Sequence, residues 1–321
     1  MQYFNNKPIR LIELFAGIGS QAKALKNLGV DFEHWRVCEW DKYAIQSYNA
    51  VHGTDFTTSD ITKLTGNDLH ITDTDKFTYL LTYSFPCQDL SNEGLGKGME
   101  KGSGTRSGLL WEVERLLNEC AELPQVLLME NVPQVHGKKN KEHFDKWIEF
   151  LESKGYSNYW QDLNAKDYGI PQNRNRCYMV SILGDYAFGF PKPMELTLTL
   201  KDMLEEDVDE RYYLSDSQIE KISKWNAQQR PLSRVLGTKS NSPTITARGA
   251  GENHSGMILL SEALTETTNL ESSGSIVSKQ GKQLDKLTDI VAALCARDHK
   301  GFGNQGMTGV VEFTHPLTEE V

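Results

Sequence analysis

Long apolar runs are missing from this 321-residue chain. No stretch approaches the roughly 18 consecutive apolar residues that span a bilayer. The opening residues Met1-Gln2-Tyr3-Phe4-Asn5-Asn6-Lys7 lack the apolar segment of a secretory signal. Both absences make the cytoplasm the expected compartment. Cysteine is scarce: Cys38, Cys87, Cys120, Cys177 and Cys295 are scattered, odd in number and form no C-x-x-C pair. That spacing argues against a disulfide framework or a zinc site, so no metal is expected. Positive charge is also in deficit, 34 Lys and Arg against 44 Asp and Glu for a net −10. A protein that coats nucleic acid by bulk electrostatics would be basic. The deficit is uneven, however. Arg230, Arg234, Lys239 and Arg248 fall in a stretch with no acid, whereas Lys201 to Arg211 carries six acids, the mark of a solvated linker or helix face.

What is present is an alternation of short apolar strands with amphipathic helices through the first 190 residues, the pattern of an α/β fold with a doubly wound, mostly parallel sheet. Strands are expected at Ile9–Leu14, Phe32–Glu39, Tyr79–Tyr83, Val126–Glu130 and Cys177–Leu183. Helices are expected at Ser20–Leu28, Lys42–Val51, Leu109–Glu122 and Lys141–Lys154. After Pro191-Lys192-Pro193 glycine, serine and threonine rise and apolar runs shorten. This predicts a boundary near 190, with residues 1–190 as a catalytic domain and 191–321 as a second, smaller, mainly β domain. A weak repeat within it (Pro243 to Arg248 then Ser255 to Leu260, and Ala292 to Arg297 then Gln305 to Val310) reads as two strand-turn-strand units presenting Arg248 and Arg297 at turns. Such arginines either approach a duplex or merely solvate a turn.

The first strand runs into Phe15-Ala-Gly17-Ile-Gly19-Ser-Gln-Ala22, a glycine turn opening a helix. Glycines let backbone approach a ligand, and the helix N-terminus offers unpaired N–H groups. Glu39 follows Gly19 by 20 residues at a strand end, where a carboxylate can accept ribose hydroxyls. Taken alone these features fit an NAD-dependent dehydrogenase. Trp40, a flat face for a purine, and Asp60, expected at a third strand end and able to accept an adenine amino group, suit a ligand with one nucleoside, as in S-adenosylmethionine. Trp40 could instead be core. Ser84-Phe85-Pro86-Cys87-Gln88 then puts a cysteine just past a buried strand, ahead of a glycine-rich segment. A cysteine in that place is either packing or a nucleophile able, as thiolate, to attack an electron-poor ring carbon. Glu130 ends another strand and would meet Cys87 in the crevice where strand ends converge. Kept partly protonated by a low-dielectric pocket, it could donate to a ring nitrogen. Alternation along Gln172-Asn-Arg174-Asn-Arg176 puts two guanidinium groups on one face, towards a carbonyl or phosphate.

Phe15-Ala-Gly-Ile-Gly19, Pro86-Cys87-Gln88, Glu130-Asn131-Val132 and Gln172-x-Arg174-x-Arg176, in that order, resemble the cytosine-5 DNA methyltransferase family, prokaryotic or phage type, over about residues 8 to 185. The resemblance implies a Rossmann-like S-adenosylmethionine-dependent methyltransferase. Phe15, Gly17, Gly19, Glu39, Trp40, Asp60, Ile61, Pro86 and Leu109 would line the cofactor site, with Phe15 and Trp40 flanking adenine and Glu39 on the ribose. Cys87 would attack carbon 6 of a cytosine flipped from duplex DNA. Glu130 would bond the ring nitrogen and exocyclic amine, Arg176 the carbonyl oxygen with Arg174 beside it, and Asn131 would orient backbone near Pro86.

Between Ser91 and Gly108 six glycines accompany Lys97, Lys101 and Arg106, a basic loop able to close over DNA, or otherwise a surface linker. DNA contacts would thus come from Gln88, Ser91, Lys97, Lys101, Arg106, Arg248 and Arg297. Family members follow the arginine motif with a target-recognition domain, a segment that organises it, and a last helix with a Gly-Asn-Ser-like turn. Gly303-Asn304-Gln305 has different surroundings, so residues 191–321 read as a recognition domain lacking those closing segments. Either a second polypeptide supplies them as a partner, the chain is a truncated form, or the pattern has drifted. The expected function is methyl transfer to carbon 5 of cytosine in DNA, in restriction-modification or phage self-protection. A tRNA cytosine-5 methyltransferase or a non-catalytic DNA-binding subunit are its rivals.

Overall fold

In a computed structural model the described residues are 7–87, 89–90, 98–203, 235–237, 241–243, 257–259 and 290–292. The chain divides into two units, one of residues 1–163 with 175–192, the other of 164–174 with 193–321.

The first unit is built on β1 (Ile9–Leu14), α1 (Ser20–Asn27), β2 (Phe32–Cys38), α2 (Lys42–His52), β3 (Thr78–Tyr83), α3 (Leu110–Glu119), β4 (Val126–Asn131), α4 (Lys141–Ser153), β5 (Tyr156–Asn164) and β7 (Asn175–Leu183), β6 (Gln172–Asn173) lying between the last two in sequence. Six strands form one sheet in the order β2-β1-β3-β4-β7-β5. Strands β1 with β2, β1 with β3 and β3 with β4 are parallel, while β7 runs antiparallel to β4 with Asn131 opposite Cys177 and Glu130 opposite Tyr178.

Every residue of β3 is buried, as a central strand covered on both faces requires. Leu81, Tyr83, Leu127 and Met129 face a core closed by Val113, Leu116 and Leu117 of α3 and Phe144 and Trp147 of α4. Leu11 and Leu80 pack on the other face against Ala22 and Leu25 of α1. Each fully buried leucine is worth about 1.5–3 kcal/mol. Gly29, at φ 67°, stops α1 as expected: the Val30 N–H donates to the Leu25 carbonyl at 3.0 Å and the Gly29 N–H to Lys26. Asp41 caps α2, accepting from the Tyr43 and Ala44 N–H groups.

Two expectations are corrected. Ser59-Asp60-Ile61 is not a strand end. Asp60 caps a 3-10 turn at Ile61–Lys63, its carboxylate accepting from the Thr62 N–H and hydroxyl, a local bond that competes with extended structure. Nor do Gln172, Arg174 and Arg176 share one continuous strand. The Arg174 N–H donates to the Gln172 carbonyl in a tight turn, so alternation breaks there. Strand β5 was not expected. Its sequence, YSNYWQDLN, is polar, and it lies at a sheet edge.

The second unit contains β6, β8 (Val235–Gly237), β9 (Ser242–Pro243), β10 (Met257–Leu259) and β11 (Ile290–Ala292). Strand β10 pairs parallel to β8 and antiparallel to β11, and β6 pairs parallel to β9. The turns expected to carry Arg248 and Arg297 lie outside the described residues.

Candidate active site

The first half of the site follows from a strained turn. Phe15 adopts φ 59°, uncommon for a residue with a Cβ and worth about 1–3 kcal/mol of strain, and Gly17 and Gly19 follow at 58° and 80°. Gly19 must be glycine. A Cβ there would lie 2.3 Å from Nε2 of His52 and 2.6 Å from the Tyr48 ring, whereas a Cβ at Gly17 would meet nothing within 4 Å. The turn is thus pressed onto α2 at Gly19 and open above Gly17. Glu39, just past β2, accepts from the Gly17 N–H and the Asp41 N–H, both at 2.9 Å, one on each carboxylate oxygen. Its first task is therefore to tie the glycine turn to the end of β2.

Trp40 is 75% exposed, which removes the core-packing reading and leaves its ring face open. Ile61 is buried, and its carbonyl accepts from Arg115. Leu109 borders a cleft of about 760 Å³ along α3 with Thr62, Trp111, Glu112 and Arg115, and none of the glycine-turn residues is among its walls. The open space over Gly17 and the uncovered indole face of Trp40 fit a flat nucleoside ligand beside the Glu39 carboxylate.

Beneath the turn lies a polar network that sequence reading missed. Glu13 is fully buried, and its carboxylate accepts from the Tyr48 hydroxyl and from the Ala22 N–H at the start of α1. Burial pushes its pKa up to about 7, against the pull of those two hydrogen bonds. His34 Nδ1 lies 2.7 Å from the same hydroxyl, and burial, with Lys26 and His52 nearby, holds His34 down at about 4. No local signal marks this cluster, because its members are 9 to 35 residues apart.

The second half is the segment after β3. The Ser84 N–H donates to the Leu14 carbonyl and the Ser84 hydroxyl accepts from Gln21. Asn131 donates to the Phe85 carbonyl at 3.0 Å, its own carbonyl oxygen accepting from the Val132 N–H. The buried Ser107 hydroxyl donates to the Pro86 carbonyl at 2.7 Å. Four elements thus fix the chain on which half-buried Cys87 sits. Burial pushes Cys38 and Cys120 up to about 11 and Cys177 up to about 12, which keeps them as thiols.

Register brings Glu130 to the same end of the sheet. Tyr83 lies opposite Met129, so Cys87 and Glu130 both follow paired positions on adjacent strands. Arg176 donates from Nε to a Glu130 carboxylate oxygen at 3.2 Å, both side chains about 15% exposed, and from Nη1 to the Asn175 carbonyl. The sheet therefore assembles Glu130 with Arg176. Gln172 and Arg174 belong to the other unit, where the Arg174 N–H also donates to the Asn164 side chain and its carbonyl accepts from Ala165.

The glycine-rich loop is closed at its base, where the Gly98 N–H donates to the Asp89 carbonyl and the Asp89 carboxylate accepts from the Arg106 and Ser107 N–H groups. Lys101 contacts both carboxylate oxygens of Glu114 at 2.8 Å and lies over the Trp111 ring. Arg106 is exposed. Gln88, Ser91, Lys97, Arg248 and Arg297 lie outside the described residues.

Among known proteins, Type II methyltransferase M2.ScrFI of Lactococcus lactis subsp. cremoris is 36% identical over 265 residues, 66% of this chain and 71% of that one. Orphan methyltransferase M.SssI of Spiroplasma monobiae is 34% identical over 312 residues, 76% of this chain and 81% of that one. The solved structure of S. pombe Dnmt2 methyltransferase matches with a TM-score of 0.63 at 21% identity, over 92% of this chain and 87% of that one, a likeness of fold. The model of the C-5 cytosine-specific DNA methylases matches residues 9–294, and with it the chain belongs to that family, the S-adenosylmethionine-dependent enzymes that methylate carbon 5 of cytosine in DNA.

Proposed function

We propose that Cys87 is the nucleophile of this enzyme and that Glu130 and Arg176 are its partners on the base. The observation that carries the assignment is the strand-end arrangement: Cys87 lies past the end of β3 on a segment held by Asn131 and Ser107, and the Glu130–Arg176 pair lies at the same end of the adjacent β4. In this reading the Cys87 thiolate adds to carbon 6 of a cytosine turned out of the duplex, forming a C–S bond and making carbon 5 nucleophilic. Glu130 bonds the ring nitrogen and exocyclic amine. Arg176 holds that carboxylate in place and reaches the carbonyl oxygen. Phe15, Gly17, Gly19, Glu39, Trp40, Asp60, Ile61, Pro86 and Leu109 hold S-adenosylmethionine, which when bound supplies the electrophilic methyl group. Loss of the carbon 5 proton then expels the Cys87 thiolate and restores the ring.

Gln88, Ser91, Lys97, Lys101, Arg106, Arg248 and Arg297 contact DNA in this reading, and residues 191–321 form the target-recognition domain. The biological role is modification of the cell's own or phage DNA against restriction, in the cytoplasm. Purified chain, labelled methyl donor and duplex DNA should yield 5-methylcytosine, and Cys87→Ser should reduce it to background. A duplex with 5-fluorocytosine should be trapped covalently through Cys87. Methylation that persists in Cys87→Ser, or turnover without an adduct, would overturn the nucleophile assignment.

A further inference from the structure

Behind the strand that carries Arg176, three side chains from three elements converge. His136 ends the 3-10 turn Pro133–His136 that follows β4, Asp162 is on β5 and Cys177 is on β7. One imidazole nitrogen, one carboxylate oxygen and the sulfur lie within 4.8 Å of one another. The imidazole is oriented by its neighbours: its ring centroid is 4.7 Å from that of Trp160 and 6.1 Å from that of Phe144. Nε2 points at both Asp162 oxygens, at 3.0 and 3.2 Å.

A cysteine beside a His–Asp pair invites comparison with a nucleophilic triad. That role does not suit Cys177, which is wholly buried, leaving no path for a substrate. The Asp162 carboxylate instead lies beside both the imidazole and the thiol, and a cation is the complementary occupant. We infer that His136, Asp162 and Cys177 form a binding site for a divalent transition-metal ion of the zinc class. Sulfur, nitrogen and a single carboxylate suit a borderline-soft ion, whereas magnesium and calcium take oxygen sets. Three protein ligands leave a fourth position for water, reached on the side of Asp162, which is about one third exposed. Metal–ligand bonds of about 2.0–2.3 Å in a tetrahedron separate donors by about 3.3–3.6 Å, so closure from 4.8 Å takes side-chain shifts of about 1 Å. Binding replaces the Cys177 S–H bond with a metal–sulfur bond and releases the proton to solvent. The spacing of the cysteines cannot disclose such a site, because only the sheet order brings β5, β7 and the end of β4 together.

The test is cobalt substitution of the full chain carrying Cys87→Ser and Cys120→Ser, which removes the two half-buried thiols among the described residues. Co²⁺ should give a thiolate-to-cobalt charge-transfer band that one equivalent of Zn²⁺ abolishes. Cys177→Ser should remove the band. His136→Gln, at a partly exposed position, should weaken Zn²⁺ binding at least about 100-fold, beyond the 10–100-fold that outer partners of a ligand are worth. Zn²⁺ should raise the Tm of the parent but not of the His136→Gln variant. No charge-transfer band in the parent, or a band and a Tm shift unaltered by His136→Gln, would overturn the site.

Discussion

Asn131 fixes the backbone of the segment that carries Cys87. It is 2% exposed and holds both the Phe85 carbonyl and the Val132 N–H. Asn131→Ala leaves the buried carbonyl without its donor, at a cost of about 1–3 kcal/mol. It also loosens the segment bearing Cys87. A displacement of 1 Å costs on the order of 10² in rate, so kcat for methyl transfer should fall by that factor while the circular dichroism of the fold is kept. Unchanged kcat would show that Ser107 and Ser84 suffice. Glu13 predicts a pH effect. Its folded pKa, about 7, stands above the ordinary 4.5, so between those values the folded chain keeps a proton that the unfolded chain has lost. The stability contributed by neutral Glu13 is full below pH 4.5 and is lost as pH rises through 7. Urea unfolding of wild type and Glu13→Gln should show the wild type losing about 3 kcal/mol relative to the variant between pH 4.5 and 8. A difference that stays flat with pH would refute the assignment.

At the scale of elements, the antiparallel pairing of β4 with β7 brings Glu130 and Arg176 within 3.2 Å. Residues that act as a unit are not additive. Glu130→Gln and Arg176→Gln should each lower kcat/KM on the order of 10² or more, and the double variant should lose little beyond the worse single one. Fully additive losses would mean that the two side chains work separately. Strands β1, β3 and β4 were legible because each is a short, mostly apolar run ending in a motif. Strand β5 was not, since a polar edge strand is held by its neighbour's backbone rather than by its own pattern. Asp60 misled for a related reason: a carboxylate next to an apolar residue reads equally as a strand end or as the cap of a turn.

For the whole molecule, a net charge of −10 sits on an enzyme whose family acts on DNA. In the proposed reading, attraction to phosphate comes from local cations such as Lys101, which here contacts Glu114. Bisulfite sequencing of DNA from a host expressing this chain alone should reveal methylation confined to one short target sequence. Methylation only on co-expression of a second polypeptide would show that recognition is shared. The sequence by itself determined the family, the cofactor and the order of the four motifs, because each motif is a short contiguous stretch whose chemistry is local. Tertiary structure alone decided that Glu39 ties down the glycine turn, that burial raises the pKa of Glu13 beneath it to about 7, and that Arg176 meets Glu130. It also decided that Gln172 and Arg174 part from Arg176 at a turn. The first three depend on strand pairing or burial between residues far apart in the chain, which no local pattern encodes.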